Sequence, residues 1–544
     1  MTGTSGLTGT LRLVRLAARR DRLTLPAWVL GMAVFLAGTT AMFDASYADQ
    51  PQLLRPDTAI VVENPGMRVL GLVTGASVGG YTLHRDALTL AVLAAMMSVL
   101  AVVRHTRQAE ELGRSELLAA GVTGRYASLA AAVVVTLTAN VVLALGLGLA
   151  MVTAGQPAGG SFVGGASIAL VGAVFTGVAA VTAQLASTTR GATGLAAAVL
   201  GASFALAALG NMMGTVDSAA LRVTSAWPAW LSPIGWGQQM RPFADDLWWP
   251  LALAGCATSV LVASAGALVA RRDVGRGMWP ERPGPRHAHS SLLRPVGLVW
   301  RLQRGALLGW ATGLLGFGLV FGALSERIGG LEGAATKWYE TFGGSTDLLG
   351  AYWASMLQIA GMAVAVYVVT LLLRLRHDEA GGVLEPVLGT SVSRLRWLGA
   401  YAVNALVGAT ALMLLFAAAM VLTGGRVLGG TGSLARDLVG AALVQLPAIA
   451  VLGAAVLVVV SAVPRWSVGA SWGLVVLSVF VGPMFGPSLG LPAWLVDLSP
   501  FSHVPNAPAV DISGWPLLGL GLVTALLAVA GAVVLRRRNL VLPA

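Results

Sequence analysis

A chain of 544 residues in which apolar side chains make up 56% and charged ones 11% has too little charge to cover a water-soluble surface. Its net charge of +11 comes from arginines and a single lysine, Lys337, grouped in short blocks between apolar runs rather than along one aromatic-lined face, which argues against nucleic-acid binding. The lone cysteine, Cys256, lies inside an apolar run, which excludes an intrachain disulfide and a cysteine-built metal site.

At the N-terminus, Leu11, Leu13, Val14 and Leu16 alternate irregularly with Arg12, Arg15, Arg19 and Arg20, the pattern of a helix lying in the headgroup plane. Spans long enough to cross a hydrocarbon core of ~30 Å are then expected near 25–43, 87–103, 127–153, 162–186, 192–213 and 249–270. The small-residue stretch Ala45-Ser46-Tyr47-Ala48 imitates a signal cleavage site, but the same opening recurs later in the chain, where cleavage makes no sense. A stretch rich in Arg, Pro and Gly, residues 271–297, is read as a cytoplasmic linker. Its His287 and His289 have no carboxylate or cysteine cluster beside them and are read as solvated. Further spans are expected near 305–325, 352–373, 397–423, 438–463, 467–488 and 514–535. The expectation is an all-α integral membrane protein of about twelve transmembrane helices, in two six-helix halves, 1–270 and 298–544.

The halves are copies. Arg22, Trp28 and Gly31 recur in the spacing of Arg304, Trp310 and Gly313. Arg107, Glu110, Gly113, Glu116 and Arg125 match Arg376, Glu379, Gly382, Glu385 and Arg394 at one constant offset. Leu231-Ser232-Pro233 returns as Leu498-Ser499-Pro500, and Trp249-Pro250-Leu251 as Trp515-Pro516-Leu517. An even number of spans per half gives the two copies one orientation, and the arginine-rich connections put both termini in the cytoplasm.

Chemistry-bearing patterns are few. Lys337 is followed by Trp338 and no P-loop exists, so if ATP drives the protein another chain binds it. The span cores contain no Asp, Glu, His or Arg, which argues against an ion-coupled carrier. Their polar residues, Asn140, Gln184, Asn211, Gln358, Asn404 and Gln445, either touch a substrate or hydrogen-bond between helices. On the outside, His84, Asp86, Asp245, Asp246, Asp497 and His503 would have to gather for a membrane-embedded enzyme; dispersed solvated residues are the commoner arrangement. The first large cytoplasmic loop of each half stands out. On a helix, Glu110, Gly113 and Glu116 share a slowly drifting face, Glu110 pairs with Arg114, and glycine between carboxylates permits close approach of a partner.

The stretch Glu110-Glu111-Leu112-Gly113-Arg114-Ser115-Glu116-Leu117-Leu118, with Val122 to Arg125 after it, resembles the cytoplasmic loop of ABC-2 type exporter permeases. The plan of two fused six-span halves resembles the bacterial permeases of polyketide-antibiotic export, of the tetronasin-resistance type. That resemblance implies a bacterial plasma-membrane permease for hydrophobic or amphipathic compounds, not itself an enzyme. It also implies a separate ABC ATPase in two copies, which carries the ATP and magnesium, and no cofactor on this chain. Coupling to the ATPase falls, by the resemblance, to Glu110, Gly113, Arg114, Glu116 and Arg125, and to Glu379, Gly382, Glu385 and Arg394. The second copy departs from the pattern: Val383 stands in place of the arginine, and Pro386 follows Glu385, where it would kink or end a helix.

Overall fold

The structure is a computed structural model that describes residues 6–48, 51–63, 67–73, 75–114, 121, 123–273, 275–279, 286–325, 347–382, 384–428, 431–484 and 491–538. Glu116, Lys337 and Val383 lie outside the described residues. The chain divides into two compact units, Met1–Gly284 and Pro285–Ala544. Each has its own apolar core.

In the first unit α1 (Thr10–Arg20) exposes Leu11 and Leu16 beside its arginines and buries Ala17. The helices that follow are α2 (Thr24–Ala48), α3 (Leu54–Glu63), α4 (Val78–His105), α5 (Arg107–Glu111), α6 (Ala127–Thr153), α7 (Ala158–Leu185), α8 (Thr189–Met212), α9 (Pro233–Gln238) and α10 (Pro250–Arg271). The centre is α7, with 89% of its apolar window buried against α4, α6 and α10. Glycine makes that approach possible: a Cβ on Gly165 would stand 2.3 Å from the Ala144 carbonyl oxygen. One on Gly172 would stand 1.9 Å from Asn140 Oδ1. With lipid as apolar as the side chains, such backbone proximity and interhelical hydrogen bonds are what hold helices together.

In the second unit the order is α11 (Pro295–Leu324), α12 (Leu348–Ala380), α13 (Leu384–Leu388), α14 (Arg394–Leu428), α15 (Thr431–Val444), α16 (Leu446–Ala462), α17 (Ser467–Phe480), α18 (Ala493–Val496) and α19 (Gly514–Arg537). Here α12 is central, and Tyr352, Tyr367, Tyr401 and Phe416 fill the core around it.

Among the described residues eleven helices are long and apolar enough to cross a membrane, which makes this an all-α integral membrane protein. Two details differ from the expectation. The run at 438–463 is interrupted at Gln445, because Pro447 in the first turn of α16 has no N–H to offer the preceding turn. The expected span at 467–488 begins on register, yet α17 has only 14 residues, about 21 Å of helix. A bend follows it, with Pro483 after Gly482, where a Cβ would stand 2.2 Å from the Ser478 carbonyl oxygen. An element that composition does not announce is the hairpin of β1 (Thr215–Asp217) and β2 (Arg222–Thr224), antiparallel in the register Val216 opposite Val223.

The repeated Leu-Ser-Pro elements acquire a common geometry. Ser232 Oγ accepts from the backbone N–H groups of Ile234 and Gly235 and donates to the Ser203 carbonyl of α8 at 2.6 Å. Ser499 Oγ accepts from Phe501 N–H and donates to the Ser478 carbonyl of α17 at 2.9 Å. In both units a buried serine starts a short helix and pins it to the fifth hydrophobic helix.

Candidate functional site

The charged loops recognised as duplicated are held in each unit by arginines at corresponding positions, with more bonds in the first unit than in the second. In the first unit α4 ends at His105 and α5 carries Arg107, Glu110 and Glu111. Glu110 is gripped in a bidentate pair by Arg272, which donates from Nη2 to Oε1 at 2.5 Å and from Nη1 to Oε2 at 2.9 Å. Arg107 donates to Glu110 Oε2 at 2.8 Å and, from Nε and Nη2, to the Ala183 carbonyl at 2.9 and 2.6 Å. Arg272 Nε donates to Gln184 Oε1 at 2.7 Å. Arg125 closes the ring through the carbonyls of Val269 and Arg272, at 3.0 and 3.1 Å. Glu111 accepts from the backbone N–H and the hydroxyl of Thr189 at the start of α8. One end of the unit is thereby clamped across the 2–3 loop, the 4–5 loop and the end of the last span.

The second unit repeats this arrangement. Arg538 donates to Glu379 Oε2 at 2.6 Å, with Arg376 Nη1 3.8 Å from the same oxygen. Arg376 Nε donates to the Pro464 carbonyl at 3.1 Å, and Arg394 to the Arg538 carbonyl at 2.7 Å. Arg272 and Arg538 are both the residue that caps the last helix of their unit. Neither belongs to the expected site. The signal that points to them is the pair of arginine runs, Arg271-Arg272 and Arg536-Arg537-Arg538, that closes each half.

The loop glycines have a backbone reason for being glycine. Gly113 and Gly382 sit at φ +68° and +71°, the left-handed region where a side chain is strained. Their N–H groups bond back to the carbonyls of Glu110 and Glu379, so each closes the same turn. A Cβ at Gly113 would meet nothing within 4 Å, so close approach within the chain is not what requires it. The turn also ends α5, so Glu110 faces Arg107 and Arg272 rather than pairing with Arg114 on a continuous helix. Leu112 and Arg114 are exposed at the tip. In the second copy Pro386 stands in the first turn of α13, where its missing N–H costs no bond, and Glu385 beside it is exposed. Instead of kinking a helix, Pro386 helps start one.

At the same end, Asp21 ties the elbow after α1 to the end of α4, accepting from Arg104 at 2.5 Å and from His105 at 2.6 Å. Burial raises the Asp21 carboxyl, but the hydrogen bond and charge of His105, with the Arg104 guanidinium, outweigh it and hold it below the usual carboxylate range.

The polar residues of the spans are buried, and most bond within their own unit. Asn140 donates to Ser98 Oγ, Asn211 bonds Gln238 and Ser225, and Gln358 donates to the Phe501 carbonyl. Asn404 accepts from Gln303, whose own oxygen accepts from Tyr367 at 3.0 Å. Gln445 Oε1 is buried at the break between α15 and α16, with no hydrogen-bond partner among the described residues. Of the residues expected on the outside, several have partners within their own unit: His84 Nδ1 lies 3.1 Å from the Gly71 carbonyl and Asp245 is shared by Arg222 and Arg241 in the first, and His503 binds its own turn in the second. Among the described residues no three His, Cys, Asp or Glu side chains are placed to hold a metal.

Two compact helical units in one chain, with eleven helices among the described residues long and apolar enough to cross a membrane, define a polytopic membrane protein. Over 541 residues, 98% of this chain and 96% of the relative, the sequence is 37% identical to the multidrug efflux system permease protein Rv1217c of Mycobacterium tuberculosis. Residues 292–536 match the family described as the C-terminal domain of multidrug efflux system permease Rv1217c. The chain belongs to the multidrug efflux system permease family, and is a multi-pass protein of a bacterial membrane.

Proposed function

We propose that this chain is the membrane-spanning subunit of an ATP-driven exporter of hydrophobic or amphipathic drugs, with ATP hydrolysed on two copies of a separate ABC ATPase. The observation that carries the reading is the clamp. Two loops with the same charged pattern are each tied by an arginine to the end of the last helix of their unit, which supports a reading in which each serves as a docking point. The chain has no P-loop, so energy from ATP would have to arrive through such points.

In this reading the labour is divided among the loop residues. Glu110 and Glu379, with Arg125 and Arg394, brace the loops internally; Gly113 and Gly382 shape the turn; the exposed Arg114 and Glu385, with Glu116, take the contact with the ATPase. Bracing matters because force applied to a loop moves the spans only if the loop is tied to them, and Glu110 joins α5 to α10 through Arg272. Asn140, Gln184, Asn211, Gln358 and Asn404 serve in this reading as fasteners between elements. The resemblance to polyketide-antibiotic export permeases makes hydrophobic or amphipathic antibiotics the first substrates to test.

The test is affinity purification of the tagged chain from its native membranes, with assay of co-purifying ATPase activity. Arg114→Glu combined with Glu385→Arg should cut ATPase recovery at least about tenfold while leaving thermal unfolding of the permease unchanged. Full ATPase recovery with that double variant would sink the assignment of partner contacts. Recovery of the wild-type chain intact but without ATPase, together with export abolished by an uncoupler at constant ATP, would replace this reading with an ion-coupled carrier.

A further inference from the structure

Helix α1 and the turn after it carry charge that their own segment does not neutralise. Arg12, Arg15, Arg19, Arg20 and Arg22 are all exposed. Between Gly6 and Phe43 the sequence holds one acidic residue, Asp21, which is buried and held by Arg104 and His105. On the helix Arg12, Arg15 and Arg19 stand at i, i+3 and i+7, so they share one face. Leu11, 65% exposed, and Leu16, 52% exposed, border that face on either side. The opposite face carries the buried Ala17 with the half-buried Leu13 and Val14, and packs on α6. In water the two exposed leucines gain nothing; at the surface of a bilayer they enter the acyl boundary while the arginines meet headgroups.

The same segment is fastened to both ends of the charged loop of the first unit. At the entrance Asp21 holds Arg104 and His105, at the end of α4. At the exit the backbone N–H groups of Gly124 and Tyr126 donate to the carbonyls of Thr8 and Gly6, at 2.8 and 2.9 Å. A Cβ on Gly124 would stand 2.3 Å from the Gly6 carbonyl oxygen, so the two backbones lie in direct contact and only glycine fits. Between these fastenings lie Glu110, Gly113 and the exposed Leu112 and Arg114. The second unit is built differently: at the spacing that aligns Arg22 with Arg304, Gln303 takes the place of Asp21 and bonds Asn404 and Tyr367, and α11 runs from Pro295 to Leu324 without a break. We propose that α1 binds the anionic surface of the membrane through Arg12, Arg15 and Arg19, with Leu11 and Leu16 among the acyl chains, and that this contact braces the charged loop of the first unit at both ends. Arginine clusters on an amphipathic helix are drawn to acidic headgroups, with an attraction that salt screens. The lipid contact does not depend on the ATPase; only its use in ATP-driven transport rests on the function proposed above.

The test uses the full chain in nanodiscs of phosphatidylcholine, alone or mixed with an equal amount of phosphatidylglycerol, and is read by amide hydrogen exchange. Phosphatidylglycerol should slow exchange along α1 and at the amides of Gly124 and Tyr126 by at least about fivefold, and added salt should reverse the effect. The triple variant Arg12→Gln, Arg15→Gln, Arg19→Gln should lose the response. The matching triple variant to Lys should keep it, because charge rather than guanidinium shape attracts the leaflet. Thermal unfolding in phosphatidylcholine alone should be the same for wild type and both variants, since all three side chains are exposed. Should the glutamine variant fail to insert, the salt dependence of wild type decides. A response that survives high salt or the glutamine variant would overturn the inference. So would wild-type exchange that is equal in the two lipids, which would hand the arginine face to an acidic protein partner. Slowing confined to α1, with Gly124 and Tyr126 unchanged, would overturn the bracing of the loop.

Discussion

Asp21 shows how much one carboxylate can organise at the end of a helix bundle. It is 1% exposed, yet binds both Arg104 and His105, and so fixes where helix α1 turns into α2. Asp21→Asn should destabilise the protein by about 2 kcal/mol, the scale of a charge-assisted hydrogen bond whose partners are left behind. The pH dependence has a defined sign. Because the folded carboxyl is held below 3.8, its contribution is complete above the unfolded value and is lost as pH falls through the folded one. The difference in thermal unfolding between wild type and Asp21→Asn should shrink as pH falls below about 5; a difference that grew on acidification over that range would contradict this account. At the same scale, Glu110 and Glu379 were legible from their duplication, but the residues that grip them were not. Arg272 is 162 positions from Glu110 in the chain, and an arginine at the end of a span reads equally well as a topological charge.

Among the elements, α7 shows why apolar composition and packing carry different information. Hydropathy places it among the spans, as it does α10, yet 89% of the apolar window of α7 is buried and only 17% of that of α10. The difference lies in the glycines and alanines that α7 turns toward α4 and α6. Gly165→Val should therefore separate α7 from α6 and cost about 1–3 kcal/mol through overpacking, measured as a lower midpoint of thermal unfolding in detergent. Gly255→Ala on α10, where a Cβ would meet nothing within 4 Å, is the control and should be neutral. Helix ends were less legible than helix existence. Apolar sequence continues beyond Phe480 although α17 stops there, because Gly482 and Pro483 remove the means to continue it and Ser499 occupies the Ser478 carbonyl. At Gln445 the interrupting Pro447 was visible, but a proline in an apolar run often leaves a span continuous, and hydropathy does not register it.

For the whole molecule, each unit carries an apolar core, a clamp and a pinned Leu-Ser-Pro element of its own. The two units expressed as separate chains, 1–284 and 285–544, should each insert into the membrane and unfold cooperatively, read by protease protection and thermal unfolding; loss of either from the membrane would show that it depends on the other. The membrane class, the approximate number of spans and the duplication are written in the amino-acid order, because insertion into hydrocarbon and internal repetition are properties of contiguous segments. Which arginine braces which glutamate and which serine pins which helix depend on groups far apart along the chain. Hydrogen-bond satisfaction is settled only when helix ends meet in space, so those features became legible only in the folded units.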